Sequence, residues 1–336
     1  MKIDGNLPAT QSAVVISEFG KPDVLQYKDR LPIPELAENE VLVKVAYSSV
    51  NPVDYKTRQG KGWGAEAIKK EKFSRNEFAI LGFDLSGVVV KTNSNKVAIG
   101  DRVAALTYNG GCYAQYNTIE EKYITKLPEN ISLEQAGALP CVGITAYQVV
   151  QFADIKPNEH VVLNAPAGGV GHIALQLLMK KVENENVKLS LICSEDKYEK
   201  IQKLINVDKL ENWIDYTKYG EDDAFPNLDA DLFLDFVGGD AGVKGLDVLK
   251  KEGRVVVLPS IWVDKLKEAG ESRNLTVEGF KSNPNGEDLF EILKLVGDKE
   301  ISLEIQSVYP LSKTKEAHEE VQKGDTFGKI ILEIEQ

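Results

Sequence analysis

Hydrophobic positions change their rhythm about a third of the way along the chain. Before Pro128 they come in short runs rich in Val, Ala and Tyr, at residues 13–18, 41–50, 85–91 and 102–107. Turn formers separate the runs: Gly20-Lys21-Pro22-Asp23, Pro32-Ile33-Pro34, Gly100-Asp101 and Asn109-Gly110-Gly111. Short runs punctuated this way predict strands of a small barrel or sandwich. After Pro128 the pattern lengthens. Ser132-Leu133-Glu134-Gln135 reads as a capping box opening a helical stretch to about residue 153. Strand and helix patterns then alternate. Strands are expected at 160–164, 188–193, 213–216, 230–235 and 254–258, and helices at 169–181 and 195–206. Such alternation implies parallel pairing in a doubly wound α/β sheet. The last stretch predicts helices at 287–296 and 313–322 and an apolar strand at 328–334, a segment placed to return and complete the first domain.

Length and charge narrow the picture. A chain of 336 residues fits two domains. Its 52 acidic and 40 basic residues give a net charge of −12, which argues against a nucleic-acid or anionic-membrane partner. Cys112, Cys141 and Cys193 are far apart in sequence, so no disulfide framework is expected. With a polar start, MKIDGNLPATQS, and no long apolar run, a cytoplasmic location is expected.

The chemistry concentrates after the first strand of the alternating region. His160-Val161-Val162-Leu163-Asn164 leads into Ala165-Pro166-Ala167-Gly168-Gly169-Val170-Gly171. Strand, glycine turn and helix start form a variant of the dinucleotide fingerprint. Glycines let the backbone approach a pyrophosphate, and the helix start offers unpaired N–H groups. An NAD site commonly has an acidic residue at the end of the second strand. Here Ser194 follows that strand, Glu195 and Asp196 come late, and Lys197 and Lys200 follow. A hydroxyl beside an ammonium suits the 2′-phosphate of NADPH.

With these segments in view, the chain resembles the zinc-independent quinone oxidoreductases of the medium-chain dehydrogenase/reductase superfamily and their alkenal/enone-reductase relatives. The resemblance rests on Asn51-Pro52-Val53-Asp54-Tyr55-Lys56-Thr57-Arg58-Gln59-Gly60, Leu81-Gly82-Phe83-Asp84-Leu85-Ser86-Gly87 and Gly100-Asp101-Arg102-Val103. It continues through Ala138-Leu139-Pro140, Thr145-Ala146-Tyr147, the glycine turn, Asp215-Tyr216, Asp235-Phe236-Val237-Gly238-Gly239 and Gly328-Lys329-Ile330-Ile331-Leu332. It implies a GroES-like β-barrel catalytic domain at 1–129, completed by 283–336, and a Rossmann cofactor domain at 130–282.

The same resemblance implies the site. Ala167, Gly168, Gly169 and Val170 would lie along the pyrophosphate. Ser194, Lys197 and Tyr216 would hold the adenosine 2′-phosphate side. Thr145, Phe236 and Val237 would border the cofactor, and Leu258 and Pro259 would approach the nicotinamide. Asn51 and Lys56 are the candidates for the reacting end. Lys56 either stabilises oxyanion character on the acceptor, holds a ribose hydroxyl, or is a solvated loop lysine. Asp54 and Arg58 read as a structural ion pair. Residues 60–78 read as a long loop in which Trp63 or Phe73 covers substrate, or as a surface excursion.

Zinc-using relatives carry Cys where this chain has Asn51 and His-Glu where it has Phe83-Asp84, and three cysteines cannot make a four-cysteine site. No metal is therefore expected. The reading is hydride transfer from NADPH to a quinone or α,β-unsaturated carbonyl. An enoyl-thioester reductase with Tyr55 as acid, or a non-enzymatic NADPH-binding sensor, remains open. A homodimer is expected, with 254–263 contributing an interface strand.

Overall fold

The computed structural model describes residues 7–258 and 260–334. The chain divides into two compact units: residues 1–144 with 284–336, and residues 145–283.

The first unit is mainly antiparallel. Strands β1 (Thr10–Ile16), β2 (Gln26–Pro32) and β4 (Ala79–Ile80) make one sheet in the order β2-β1-β4. A seven-stranded sheet takes β3 (Glu40–Val50), β5 (Asp84–Thr92), β6 (Arg102–Leu106), β7 (Tyr116–Glu120), β8 (Ile124–Lys126), β15 (Ile305–Pro310) and β16 (Lys329–Glu333). Its path is β15-β16-β3-β5-β6-β8, with β7 on β3. The β-branched run in β3 supplies the buried Val41, Val43 and Val45, which suits a pleated surface. β2 is almost wholly exposed and polar, as an edge strand should be.

Helices α1 (Pro52–Arg58) and α2 (Gly62–Glu71) follow β3. The stretch read as a long loop is thus mostly helix. Ala65, Ala67, Ile68, Lys69, Lys70 and Glu71 are good helix formers, and they outweigh the three glycines at its start. α3 (Leu133–Ala138) has the expected capping box: Gln135 N–H donates to Ser132 Oγ at 3.1 Å, and Ser132 N–H to Gln135 Oε1 at 3.0 Å. The single helix expected from here is broken at Pro140, where α4 (Pro140–Phe152) begins. Residues 130–144 pack with the first unit: Gly137 lies against Tyr47, and Ser86 Oγ donates to the Leu133 carbonyl at 2.5 Å.

The second unit is a six-stranded parallel sheet. Its strands are β9 (His160–Asn164), β10 (Lys188–Ile192), β11 (Asn212–Ile214), β12 (Ala230–Asp235), β13 (Leu249–Val257) and β14 (Thr276–Gly279). The order is β11-β10-β9-β12-β13-β14, all neighbours parallel. Crossover helices are α5 (Gly171–Glu185), α6 (Glu195–Ile201), α7 (Gly239–Gly245) and α8 (Val263–Gly270). Both faces are covered, so β9 and β12 have no exposed residue and centre on the apolar Val161-Val162-Leu163 and Leu232-Phe233-Leu234. The order runs outward in opposite directions from β9 and β12, so the switch point lies between them, where a parallel sheet opens a crevice at its carboxyl ends.

The chain ends with α9 (Gly286–Gly297) and α10 (Thr314–Lys323), and β16 then pairs antiparallel with β3. No helix among the described residues is long and apolar enough to cross a membrane.

Candidate functional site

The second unit places its candidate residues at the carboxyl ends of its strands. Ala165 to Val170 follow β9, Ser194 follows β10, Tyr216 follows β11, Phe236 and Val237 follow β12, and Leu258 follows β13. Ala165 sits in the left-handed region at φ 57° and starts the turn. Gly168 N–H closes back on the Ala165 carbonyl at 3.2 Å. A Cβ on Gly171 would lie 2.0 Å from that same oxygen, so only glycine lets α5 start here. His172 is fully buried, and its Nδ1 meets the Gly168 carbonyl at 3.0 Å. The N–H groups of Ala167, Gly169 and Val170 find no acceptor among the described residues. Donors at a helix start, without acceptors, make an anion cradle.

Around the cradle, polar groups serve to shape loops. Asp235, fully buried, receives the N–H groups of Val237 and Gly238 at 2.9 and 3.0 Å and the Asn164 amide at 3.2 Å. Burial raises its carboxyl above the usual range, and those three donors oppose the rise. The Asp235 carbonyl accepts Leu258 N–H at 2.8 Å. Val237 is exposed, Phe236 and Leu258 are half-buried, and Pro259 lies outside the described residues. Thr145 is buried and its hydroxyl is hydrogen-bonded to Ser282 at 3.0 Å.

At the far end, Tyr198 and Trp213 stack with ring centroids 4.0 Å apart and planes 10° from parallel. Lys218 lies 5.6 Å over the Trp213 ring. The exposed Tyr216 opens the short turn that follows β11. The aromatic stack escaped the sequence reading. Its partners are fifteen residues apart on α6 and β11, and only parallel pairing brings them together.

The first unit holds a different centre. Asn51 follows β3 as the cap of α1, Asp84 opens β5 and Lys329 opens β16; pairing of these three strands brings them together. Lys329 Nζ donates to Asn51 Oδ1 at 2.5 Å and to the Val50 carbonyl at 3.2 Å. Asn51 Nδ2 donates to Asp84 Oδ2 at 2.8 Å and to Ser49 Oγ at 3.1 Å. Ser49 Oγ donates to Asp84 Oδ2 at 2.5 Å. All four are buried. Burial pushes the Asp84 carboxyl up and the Lys329 ammonium down, and each group's charge opposes the shift in the other.

Asn51 N–H also donates to Asp54 Oδ2 at 2.8 Å. Burial, aided by the charge of Asp84, raises Asp54 to about 7. Tyr113, fully buried, meets His318 Nε2 at 3.1 Å through its hydroxyl. A Cβ on Gly82, at φ 87°, would lie 2.4 Å from the Tyr113 ring, so glycine permits that approach. The ion pair expected between Asp54 and Arg58 does not form. Arg58 donates to Gln322 Oε1 at 2.5 Å, because α10 packs against α1 and fills that space.

Lys56, on α1, is half-buried, and its ammonium has neither an acceptor nor an anion among the described residues. Burial first, and then the charge of Lys61, lowers its pKa. Nearby in sequence, Trp63 packs 5.3 Å from Phe83 and 5.0 Å from Tyr108, centroid to centroid. Phe73 instead packs on Phe19 at 4.9 Å, against the hydrophobic core.

Residues 37–129 match the family described as alcohol dehydrogenase GroES-like domain, and residues 210–332 the family described as zinc-binding dehydrogenase. A solved structure of the quinone oxidoreductase from Coxiella burnetii is 31% identical, covering 97% of this chain and 100% of that one, with a TM-score of 0.86. The chain belongs to the quinone oxidoreductase branch of the medium-chain dehydrogenase/reductase superfamily. Two plant relatives of this medium-chain oxidoreductase are each 28% identical. They are the 2-methylene-furan-3-one reductase of Solanum lycopersicum, over 97% of this chain and 80% of that protein, and the chloroplastic NADPH-dependent alkenal/one oxidoreductase of Arabidopsis thaliana, over 98% and 81%.

Zinc does not fit the donor set of this oxidoreductase. Asn51 Oδ1 already faces an ammonium, and Asp84 Oδ2 already accepts two hydrogen bonds. Neither His nor Cys joins them, and no group of three His, Cys, Asp or Glu among the described residues could hold a metal ion. A nicotinamide dinucleotide does fit: the glycine turn presents N–H donors, and the space at Gly168 is open, since a Cβ there would meet nothing within 4 Å but the Ala165 carbonyl at 3.6 Å.

Proposed function

We propose that this oxidoreductase transfers hydride from NADPH to a quinone or an α,β-unsaturated carbonyl, without a metal. The observation that carries the reading is the Lys329 ammonium bound to Asn51 where zinc-using relatives place a ligand. Alcohol oxidation in this superfamily leans on a Lewis acid, whereas quinones and enones are already electrophilic. The names of the relatives from Solanum and Arabidopsis support the same substrate class.

When bound, the nicotinamide supplies the hydride. The protein's part is to hold and polarise. Ala167 to Val170 receive the pyrophosphate, Ser194, Lys197 and Tyr216 the adenosine end, and Thr145, Phe236, Val237, Leu258 and Pro259 flank the rest. Lys56 stabilises negative charge that develops on the acceptor oxygen, which a half-buried cation does better than a solvated one. Asn51 keeps α1, and so Lys56, in place. Trp63, Phe83 and Tyr108 offer aromatic faces for a planar acceptor. Solvent supplies the proton that completes the hydroquinone or saturated ketone. The protein works as a homodimer in a reducing compartment, where its three free cysteines remain thiols.

The test is oxidation of NADPH and NADH by chelator-treated protein against 1,4-benzoquinone, 9,10-phenanthrenequinone and a short enal. Chelator-resistant turnover favouring NADPH supports the reading. Activity that appears only on adding zinc overturns it, and tight NADPH binding without turnover points to a sensor.

A further inference from the structure

The adenosine end of the nucleotide site contains a carboxylate that competes with the ligand just assigned to it. Ser194 Oγ donates to Asp196 Oδ1 at 2.5 Å. The other oxygen, Asp196 Oδ2, lies 4.0 Å from Lys197 Nζ, whose side chain is only 16% exposed. The hydroxyl and the ammonium that suit a 2′-phosphate are therefore both engaged by one side chain. Another cation nearby is engaged too: Lys218 lies 3.3 Å from Asp215 and 3.9 Å from Glu195. The Asp196 side chain is 66% exposed, so turning it into solvent disturbs no packing. The Ser194 hydrogen bond, with Lys197 and Lys200, holds its carboxyl below the usual range, and it is ionised at neutral pH.

These contacts have opposite consequences for the two dinucleotides. A 2′-phosphate adds up to two negative charges beside the carboxylate and needs the same Ser194 and Lys197 donors. It binds only after Asp196 leaves. A 2′-hydroxyl has a proton to donate, and Asp196, two residues beyond Ser194 in the first turn of α6, offers a carboxylate to accept it. The stacked Tyr198–Trp213 pair, on the same helix and the neighbouring strand, is indifferent to the choice.

We propose that Asp196 sets the choice between NADPH and NADH in this site, by occupying Ser194 and Lys197 in the absence of a 2′-phosphate and by accepting the ribose 2′-hydroxyl of NADH. The enzyme thus uses both donors, and its preference for NADPH is capped by its own side chain. This rests on the reading that the second unit binds a nicotinamide dinucleotide.

The experiment has two arms, run on the full chain and on D196N and K197M. Calorimetric titration with 2′,5′-ADP and with 5′-AMP reads the adenosine end alone. Steady-state kcat/KM with NADPH and NADH, at a fixed quinone concentration, reads the whole cofactor. D196N should raise the NADPH-to-NADH ratio about tenfold, tightening 2′,5′-ADP and weakening NADH, as expected for losing one charged competitor and one charged acceptor. K197M should move the ratio the other way. A D196N ratio within about twofold of wild type, with both fragments still binding, overturns the proposal. If neither fragment binds wild type or D196N, the nucleotide reading itself fails.

Discussion

Two polar centres of this molecule handle charge in contrasting ways. In the second unit the groups offered to a ligand are main-chain N–H donors on one contiguous turn, Ala167 to Val170, left without acceptors by the start of α5. In the first unit the polar groups are side chains from β3, β5 and β16, buried and turned on one another. The first arrangement pays nothing in side-chain ordering when a ligand arrives, because the backbone already holds the donors. In the second, every polar atom of the Asn51 amide has a protein partner, whereas Asp84 Oδ1 and Asp54 Oδ1 are buried without one. Asn51, at the head of α1, ties that helix to β5 and β16. What the comparison teaches is that main-chain donors left open by a helix start are available to a ligand, while side chains bonded to one another hold their own elements in place.

The sharpest way to break this contrast is at Gly171. Gly171→Ala puts a methyl 2.0 Å from the Ala165 carbonyl. The turn must open, and dinucleotide affinity should fall at least about 100-fold while the first unit is untouched. Calorimetry with the oxidised cofactor checks it, and unchanged affinity would show that the turn is not the cradle.

On stability rather than binding, Lys329→Met leaves Asp84 and Asn51 Oδ1 buried without their cation. Removing one partner of a buried polar pair should destabilise the fold by about 3–5 kcal/mol, read as a lowered urea midpoint. Cofactor affinity per folded molecule should stay as it is.

Asp54 gives the first unit's centre a pH signature. In the fold its pKa is raised from the ordinary 3.8 to about 7. The native state therefore holds a proton that the unfolded chain releases between these values. The stabilising contribution is complete below about pH 4 and is lost as pH rises through about 7. Asp54→Asn should remove this slope from the pH dependence of the urea midpoint. A slope equal to wild type would mean that Asp54 is ionised throughout.

Lys56→Met tests whether the lone ammonium acts on the acceptor. kcat/KM for a quinone should drop about 10- to 100-fold, with cofactor affinity and thermal stability unchanged. The smallest effect is expected from Trp63→Phe, which keeps an aromatic face: about a twofold change in acceptor KM, and no more.

Much of the second unit was legible because its information is local. The strand at Ala230–Asp235 and the capping box at Ser132 stand where the pattern put them. Helix ends were harder. α6 stops at Ile201, short of the expected residue 206, because the Lys203 and Leu204 N–H groups bond three residues back. The stretch expected to be a loop at 60–78 is mostly helix, because the helix-forming run between Ala65 and Glu71 outweighs the glycines that precede it. Asp54 is not the partner of Arg58: the actual partner, Gln322, is 264 residues away, and only the packing of α10 on α1 brings it there.

By itself, then, the sequence determined the alternation of strands and helices, the glycine turn and the absence of a zinc ligand set. Each of these is a property of neighbouring residues or of composition. Only the tertiary structure decided that Lys329 would neutralise the Asn51–Asp84 pair, that Tyr198 would stack on Trp213, and that Asp196 would hold Ser194 and Lys197. The first two are long-range contacts set by strand order and register. The third depends on a side-chain rotamer: Asp196 and Ser194 are two residues apart, but only a folded helix start turns the carboxylate back toward the hydroxyl.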